Sequence, residues 1–147
     1  VSLGLHVISK LRKDARLRRL YNGPQKARGR KKKFDIGKVC DKDFEASPVI
    51  SIPNTKIELR SCIAYSVSLR RTIKVVWVLK QINDTEYAEA FLFSTDLTLD
   101  MLKIYEFYVS RFQIEFIFRD AKQHTGLDDC QSRNEQRMHY HFNASLT

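Results

Sequence analysis

The sequence feature that most constrains this chain is the stretch Tyr105 to Gln123, which reads YEFYVSRFQIEFIFRDAKQ. Each residue of an α-helix advances by about 100°, so this stretch would place five polar side chains within about 80° of one another. They are Tyr108, Arg111, Glu115, Arg119 and Lys122. Apolar side chains cover most of the remaining circumference, and a helix that is apolar almost all round is normally buried. The pattern therefore predicts a buried helix with one narrow charged face.

Two interpretations of this charged face stay open on geometry alone. Burying a charge is costly unless the charge is paired or binds something. In the first interpretation, Arg111, Glu115 and Arg119 form a ladder of ion pairs, because residues four apart are neighbours on a helix. In the second, the face lines a cleft in which Glu115 binds a metal ion and the cations contact phosphate.

The spacing of these side chains resembles a signature of known enzymes. Tyr108, Arg111, Glu115 and Lys122 stand at the intervals of the Y-R-E-K signature of one large group of bacterial insertion-sequence transposases. These are DDE transposases with an RNase H-like catalytic core. The segments LFSTDLTLDMLKIYEFYVSRFQIE, GLHVISKLRKDARL and TGLDDCQSRNEQRMHYHF also resemble this family, so the likeness covers nearly the whole chain. Phe112 stands where the family usually has Trp, and it keeps an aromatic ring at that position.

The resemblance implies an α/β fold, specifically the C-terminal part of an RNase H-like core in which a β-rich antiparallel insertion precedes a long catalytic helix. Residues 1–147 would then be part of one DDE catalytic domain. Residues 1–42 would supply a core strand and a basic loop, and residues 43–94 the β-rich insertion. Residues 95–147 would form C-terminal helices that carry the third catalytic acid.

The resemblance also implies a chemistry, namely metal-dependent cleavage of DNA followed by strand transfer. Phosphoryl transfer of this kind uses two divalent ions about 3.5–4 Å apart, and Mg²⁺ prefers carboxylate and phosphate oxygens. Glu115 matches the third acid of the family, as catalytic residue and as ligand of Mg²⁺. The residues that would contact DNA are Tyr108, Arg111 and Lys122, together with Arg119 on the same helix face and Arg12 at the end of a strand.

The other two catalytic acids find no match in this sequence. Asp35, Asp41, Asp43 and Asp96 stand in other contexts, and the chain resembles a fragment that starts just after the second acid. We therefore expect the chain alone not to cut or join DNA. The alternative is a basic nucleic-acid-binding domain without catalytic activity, in which Glu115 is only an ion-pair partner.

The partners that the resemblance implies are DNA, as transposon ends and as target, and a second copy of the protein in a synaptic complex. The expected location is the bacterial cytoplasm, in association with the nucleoid, without a membrane partner. No apolar run approaches the roughly 18 residues of a membrane helix. Cys40, Cys62 and Cys130 lack CxxC spacing, which favours reduced thiols over a disulfide framework or a zinc site.

The formal charge of +9 is concentrated near the start of the sequence. Between Lys10 and Lys33 twelve Lys or Arg residues stand against a single acid, Asp14. Such a block indicates a polyanionic partner, most often nucleic acid. Charge alone does not distinguish DNA from RNA or from an acidic membrane surface.

Periodicity predicts the order of the elements. The run Leu3 to Ser9 reads as a short buried strand, residues 10–22 as either a strand exit with a turn or a short helix, and residues 25–33 as a flexible basic loop. Three β-rich runs between about Asp43 and Phe93 predict an antiparallel meander. Trp77 is expected in its core, the alternative being a stacking contact with a base. A long helix should follow cap candidates Thr95, Asp96 and Thr98 and end near Gly126. A further helix is expected within residues 131–147.

Overall fold

A computed structural model describes residues 4–147 of the chain. In these residues, seven strands and three helices follow one another. They are β1 (Ile8–Leu11), β2 (Leu17–Leu20), β3 (Phe34–Lys38), α1 (Asp41–Glu45), β4 (Ile50–Ser51), β5 (Ile57–Ser66), β6 (Arg71–Gln81), β7 (Tyr87–Ser94), α2 (Met101–His124) and α3 (Glu135–Ser145). The chain divides into two compact units, one ending at Tyr108 and the other running from Val109 to Thr147.

The first unit is built on one antiparallel sheet. Its described strands lie in the order β1-β7-β6-β5-β2-β3, and the short β4 pairs with β5. Strands β5 and β6 pair without interruption from Ile57 opposite Lys80 to Ser66 opposite Arg71, and β7 continues the series along β6. The predicted meander is confirmed. Because period two is set by the backbone of a strand, this part of the fold is visible in the sequence.

Both faces of the central strands are buried, as the alternation along β6 shows. Val76 and Val78 belong to a cluster that includes Met101 and Ile104 from the first turns of α2. Val75 faces the other way, into a cluster that includes Phe44 from α1. Successive side chains of a strand point to opposite faces, so β6 needs apolar residues at nearly every position.

Trp77 lies on the face of the sheet that packs against α1. Its ring stacks on Phe91 with centroids 6.0 Å apart and contacts Phe44 at 5.5 Å. The predicted core role of Trp77 is confirmed. The mixed α/β fold class, with its antiparallel sheet and long helix, is confirmed as well.

The first strand differs from its prediction. Strand β1 begins only at Ile8, and it lies at an edge of the sheet, where it pairs with β7. Leu5 and Val7 are exposed, and Leu3 falls outside the described residues. The prediction of a short buried strand from Leu3 to Ser9 is therefore wrong in its limits and its burial. An apolar run alone does not decide burial, because apolar atoms also make up much of a protein's surface.

Residues 10–22 begin with a strand exit and a turn, which is one of the two predicted alternatives, and continue into strand β2, which was not predicted. Strand β3 and helix α1 were not predicted. Helix α1 is only five residues long, and it begins where the Asp43 carboxylate accepts a hydrogen bond from the backbone N–H of Cys40 at 2.7 Å. A helix this short leaves no periodic signal in a sequence.

Helix α2 begins and ends with identifiable caps. Asp100 accepts a hydrogen bond from the N–H of Leu102 at 3.0 Å, so Asp100 caps the helix and the three predicted candidates do not. Asp96 instead accepts bonds from the N–H and hydroxyl of Thr98 in the preceding turn. The helix ends before Gly126, whose φ of +68° favours glycine, as predicted.

The second unit contains the rest of α2 and all of α3. Asn134 caps α3 by accepting a hydrogen bond from the N–H of Arg137 at 3.2 Å, within the predicted range. His141 Nε2 lies 3.0 Å from the carbonyl of Gly126, which joins α3 to the turn after α2. Ala121, Leu127 and Ser145 are buried in this unit.

The predicted burial of α2 is wrong over most of its length. Its first turns are buried through Met101 and Ile104, but residues 109–120 are all exposed. The exposed apolar side chains of this part are Val109, Phe112, Ile114, Phe116, Ile117 and Phe118. A helix that is apolar over most of its circumference is suited to burial against another surface. Its own sequence does not show which surface that is.

Candidate functional site

The charged face of α2 is formed as the sequence predicts. Because α2 is continuous from Met101 to His124, residues Arg111, Glu115, Arg119 and Lys122 lie on one side of it. Arg111 Nη1 donates to Glu115 Oε1, one turn further along the helix. The two side chains are 52% and 53% exposed, so the pair lies at the surface, where a ligand can reach both groups.

The ion-pair ladder does not extend beyond this first pair. Arg119 lies 3.5 Å from the carboxylate of Asp120 and its guanidinium sits 4.5 Å from the centre of the Phe116 ring. Lys122 pairs with Asp128 at 3.0 Å, in the turn that follows the helix. The charged face therefore contains one ion pair, between Arg111 and Glu115. Its other two cations, Arg119 and Lys122, each pair with an acid that does not belong to the face.

The two remaining candidates belong to the first unit. Tyr108 is half-buried and packs against the cluster around Leu59 and Met101. Arg12 follows the end of β1, is 85% exposed and pairs with Asp14 at 3.0 Å. The structure thus brings Arg111 and Glu115 into contact. Tyr108 packs against the core of the first unit, and Arg12 pairs with Asp14.

The described acids do not form a metal centre by themselves. Among residues 4–147, no group of three or more His, Cys, Asp or Glu side chains is placed to hold a metal ion. Glu115 can supply one carboxylate ligand, which is a partial fit to a divalent-ion site. A complete Mg²⁺ site needs further oxygen ligands beside this one.

Three of the other acids take part in local hydrogen bonds. The bond from the Thr98 hydroxyl lowers the pKa of Asp96, and the backbone N–H of Ile36, helped by Lys32, lowers the pKa of Asp35. Burial would raise the pKa of Asp43, but bonds from the Cys40 backbone and from Arg19 outweigh it, so this pKa is lowered too. Each carboxylate is thus stabilised in its charged form by its own neighbours.

The described cysteines are free. Burial raises the pKa of the Cys62 thiol to about 12, so this side chain stays protonated and unreactive at neutral pH. His139 lies 3.8 Å from Glu135, one turn away on α3. We therefore assign none of these cysteine and histidine side chains to the charged face of α2.

The basic block of the sequence has a geometry that sequence reasoning missed. It forms the hairpin of β2 and β3, in which Lys32 lies 4.2 Å from the centre of the Tyr21 ring and Arg18 lies 5.1 Å from that of Phe34. The only signal in the sequence was the Asn-Gly-Pro turn at residues 22–24, which marks a chain reversal without showing how the loop is closed.

Comparison with known proteins gives a family match. No described helix combines the length and apolarity needed to cross a membrane. Neither the curated proteins nor the solved structures contain a significant match. The family described as Transposase DDE domain matches residues 2–146, nearly the whole chain. That family implies DNA transposition and DNA cleavage, and its members generally use divalent metal ions. The chain belongs to the transposase DDE domain family.

Proposed function

We propose that this chain supplies the third catalytic acid, Glu115, to an insertion-sequence transposase that cuts and joins DNA. The observation that carries the proposal is the exposed carboxylate of Glu115 beside Arg111 on α2, in a chain that belongs to the DDE family. An exposed carboxylate next to a guanidinium can bind a cation on one side while the cation's phosphate ligand contacts the arginine.

Arg111 would change partner when DNA binds. In the free chain its guanidinium pairs with Glu115. Arg forms two parallel hydrogen bonds to a phosphate, and such charge-assisted bonds are among the stronger ones. Moving Arg111 onto a phosphate would leave Glu115 available for a divalent ion, so the ion pair keeps both groups oriented until substrate arrives.

Lys122 and Tyr108 would complete the contact with the DNA backbone. Lys122 acts as a point charge, and its pair with Asp128 is exposed, so giving up that pair costs only about 0–1 kcal/mol. Tyr108 would donate its hydroxyl to a phosphate oxygen. Arg119 and Arg12 are further proposed phosphate contacts, and both lie outside the Y-R-E-K spacing.

The metal would be Mg²⁺, and this chain would provide one of its protein ligands. The described residues do not form a complete site, so the other two carboxylates would come from additional sequence of the same transposase. When bound, the ions activate the attacking oxygen and stabilise the leaving oxygen. We further propose that the partners are transposon ends and target DNA, that two copies meet in a synaptic complex, and that the protein acts at the bacterial nucleoid.

The test is Glu115→Gln in a transposase that contains this chain together with the first two acids. We expect cleavage of a labelled transposon end to fall below detection, because the amide keeps the shape of the carboxylate but not its charge. DNA binding in a mobility-shift assay and the Tm should stay near those of the parent protein. The matched control is Glu106→Gln, one charge removed from the same helix outside the charged face, which should keep its activity.

The Arg111–Glu115 pair also favours a second function, a basic nucleic-acid-binding domain without catalytic activity. In that case Glu115 would serve only as an ion-pair partner. Glu115→Gln would then lower stability slightly, by about 0.2–1 kcal/mol for an exposed pair, and the parent protein would show no metal-dependent cleavage to lose. The cleavage assay of the parent protein separates the two functions.

A further inference from the structure

The loop between β2 and β3 is closed by a single side chain. Gln25 Nε2 donates to the carbonyl of Lys32 at 2.8 Å, and the N–H of Lys32 donates to Gln25 Oε1 at 2.9 Å. Below this pair, the N–H of Tyr21 donates to the carbonyl of Lys33 at 3.2 Å. The two bonds of Gln25 imitate the exchange between facing residues of an antiparallel ladder. They hold together the ends of residues 26–31, which we call the clamped loop.

The clamped loop concentrates positive charge that has no internal partner. Four of its six residues are cationic: Lys26, Arg28, Arg30 and Lys31. Among residues 4–147, none of these four lies within ion-pair distance of a carboxylate, whereas neighbouring Lys32 pairs with Asp35 at 3.1 Å. Holding like charges in a closed loop is unfavourable through their repulsion. The arrangement therefore suits a partner that is itself strongly negative.

Cations at the base of the hairpin contact aromatic rings, whereas those at its tip are exposed. At the base, Arg18 and Lys32 lie over the rings of Phe34 and Tyr21. Residues 22–33 are all exposed, so the cations of the tip face solvent. The rings thus anchor the hairpin while the clamped loop presents its charges outward.

The centre of the clamped loop has a bare backbone between two arginines. Gly29 has a φ of +94°, which favours glycine, and no heavy atom beyond its two chain neighbours lies within 4 Å of the position that a Cβ would take there. The order Arg28-Gly29-Arg30 therefore places a residue without a side chain between two arginines. The minor groove of B-DNA is about 6 Å wide, and it is narrower and more negative in A-tracts, where it attracts arginine.

We propose that the clamped loop enters the minor groove of duplex DNA and prefers A/T-rich sequence. Arg28 and Arg30 lie in the groove, and Lys26 and Lys31 contact the phosphates on either side. This contact rests on the proposed function, because it adds a DNA-binding element to a transposase, and it uses none of the residues of the charged face around Glu115.

Other polyanions fit this loop less well. An amphipathic helix that lies on a membrane surface buries apolar or aromatic side chains in it, whereas this loop is not helical and Ala27 is its only apolar residue. The minor groove of A-form RNA is wide and shallow, whereas arginine is attracted to the narrow, strongly negative minor groove of A/T-rich DNA. Duplex DNA therefore suits the two arginines that flank Gly29.

The experiment measures binding of the 147-residue chain to two fluorescent duplexes of equal length, one A/T-rich and one G/C-rich, in buffer without divalent metal. We expect the A/T-rich duplex to bind roughly three- to tenfold more tightly, and netropsin, a minor-groove ligand, to compete. The double variant Arg28→Lys and Arg30→Lys keeps the charge of the loop. Its affinities for the A/T-rich and the G/C-rich duplex should become equal. The control, Lys26→Ala with Lys31→Ala, should weaken both duplexes alike and lower the salt slope by about one for each lysine removed.

Equal affinity of the parent chain for the two duplexes would overturn the proposal, and so would a preference that survives the arginine-to-lysine change. Failure to bind either duplex, with binding to phosphatidylglycerol vesicles instead, would also overturn it and assign the loop to a membrane surface. The Glu115→Gln cleavage assay does not depend on this preference. Equal affinities together with loss of cleavage in Glu115→Gln would therefore reject the loop alone, and the reverse pattern would reject the proposed catalytic role alone.

Discussion

At the scale of single residues, Asp43 connects strand β2 to helix α1. Its carboxylate accepts hydrogen bonds from Arg19 Nη2 at 2.9 Å and from the N–H of Cys40 at 2.7 Å. The first bond ties the helix to the sheet, and the second satisfies a backbone donor at the start of the helix. One partly buried side chain thus fixes the element that places Phe44 in the core.

Asp43→Ala is expected to lower the free energy of unfolding by about 1–2 kcal/mol at pH 7, because it removes a helix cap and a charge-assisted hydrogen bond together. Urea denaturation followed by circular dichroism measures this change. Asp41→Ala, one charge removed from the first turn of the same helix, is the control and should change stability by less than about 0.5 kcal/mol.

The contribution of Asp43 should also depend on pH in a defined direction. Its folded pKa is lowered, while the unfolded chain titrates near about 3.9. The stabilisation is therefore complete well above that value and is lost as pH falls through the lower, folded pKa. The difference in stability between the parent chain and Asp43→Ala should shrink between pH 7 and pH 3. A difference that stays constant over this range would contradict the assignment.

At the scale of elements, strand β5 shows that one face of the sheet is covered over only part of its length. Leu59 is fully buried in the cluster that the start of α2 covers, whereas Ile63, on the same face of the same strand, is 49% exposed. Leu59→Ala is expected to cost about 2–5 kcal/mol through lost burial and a cavity, and Ile63→Ala much less. Thermal and urea unfolding of the two variants measure the contrast. Equal losses would mean that burial within this unit is not what stabilises it.

The elements that could be predicted from the sequence are those with a long local pattern. Hydrophobic alternation with period two over β5 to β7 predicted the meander. The helical period of 3.6 residues over α2 predicted the long helix and the shared face of Arg111 and Glu115. Asp100 was missed as the helix cap because three other cap residues precede it, and only the backbone path shows which one meets a free N–H. The partners Asp120 and Asp128 were missed because they depend on rotamers and on the turn at Gly126.

At the scale of the whole molecule, the net positive charge and the individual carboxylates have different roles. The formal charge of +9 favours binding to DNA of any sequence through the release of counterions. Catalysis needs something more local, three carboxylates around the metal ions, and the described residues contain no such group. Binding and cutting should therefore be separable in this chain.

We expect the 147-residue chain to bind supercoiled plasmid without nicking it in the presence of Mg²⁺ or Mn²⁺. Binding should weaken steeply with salt, since each phosphate contact contributes about 0.9 to the slope of log K against log salt concentration. Nicking is followed by the conversion of supercoiled to open-circular plasmid on a gel, with the Glu115→Gln chain prepared in parallel. Metal-dependent nicking by the parent chain that disappears in Glu115→Gln would show that these residues assemble a complete site by themselves. In that case Glu115 would need carboxylate partners supplied by this chain, either within one copy or between two copies that meet on DNA.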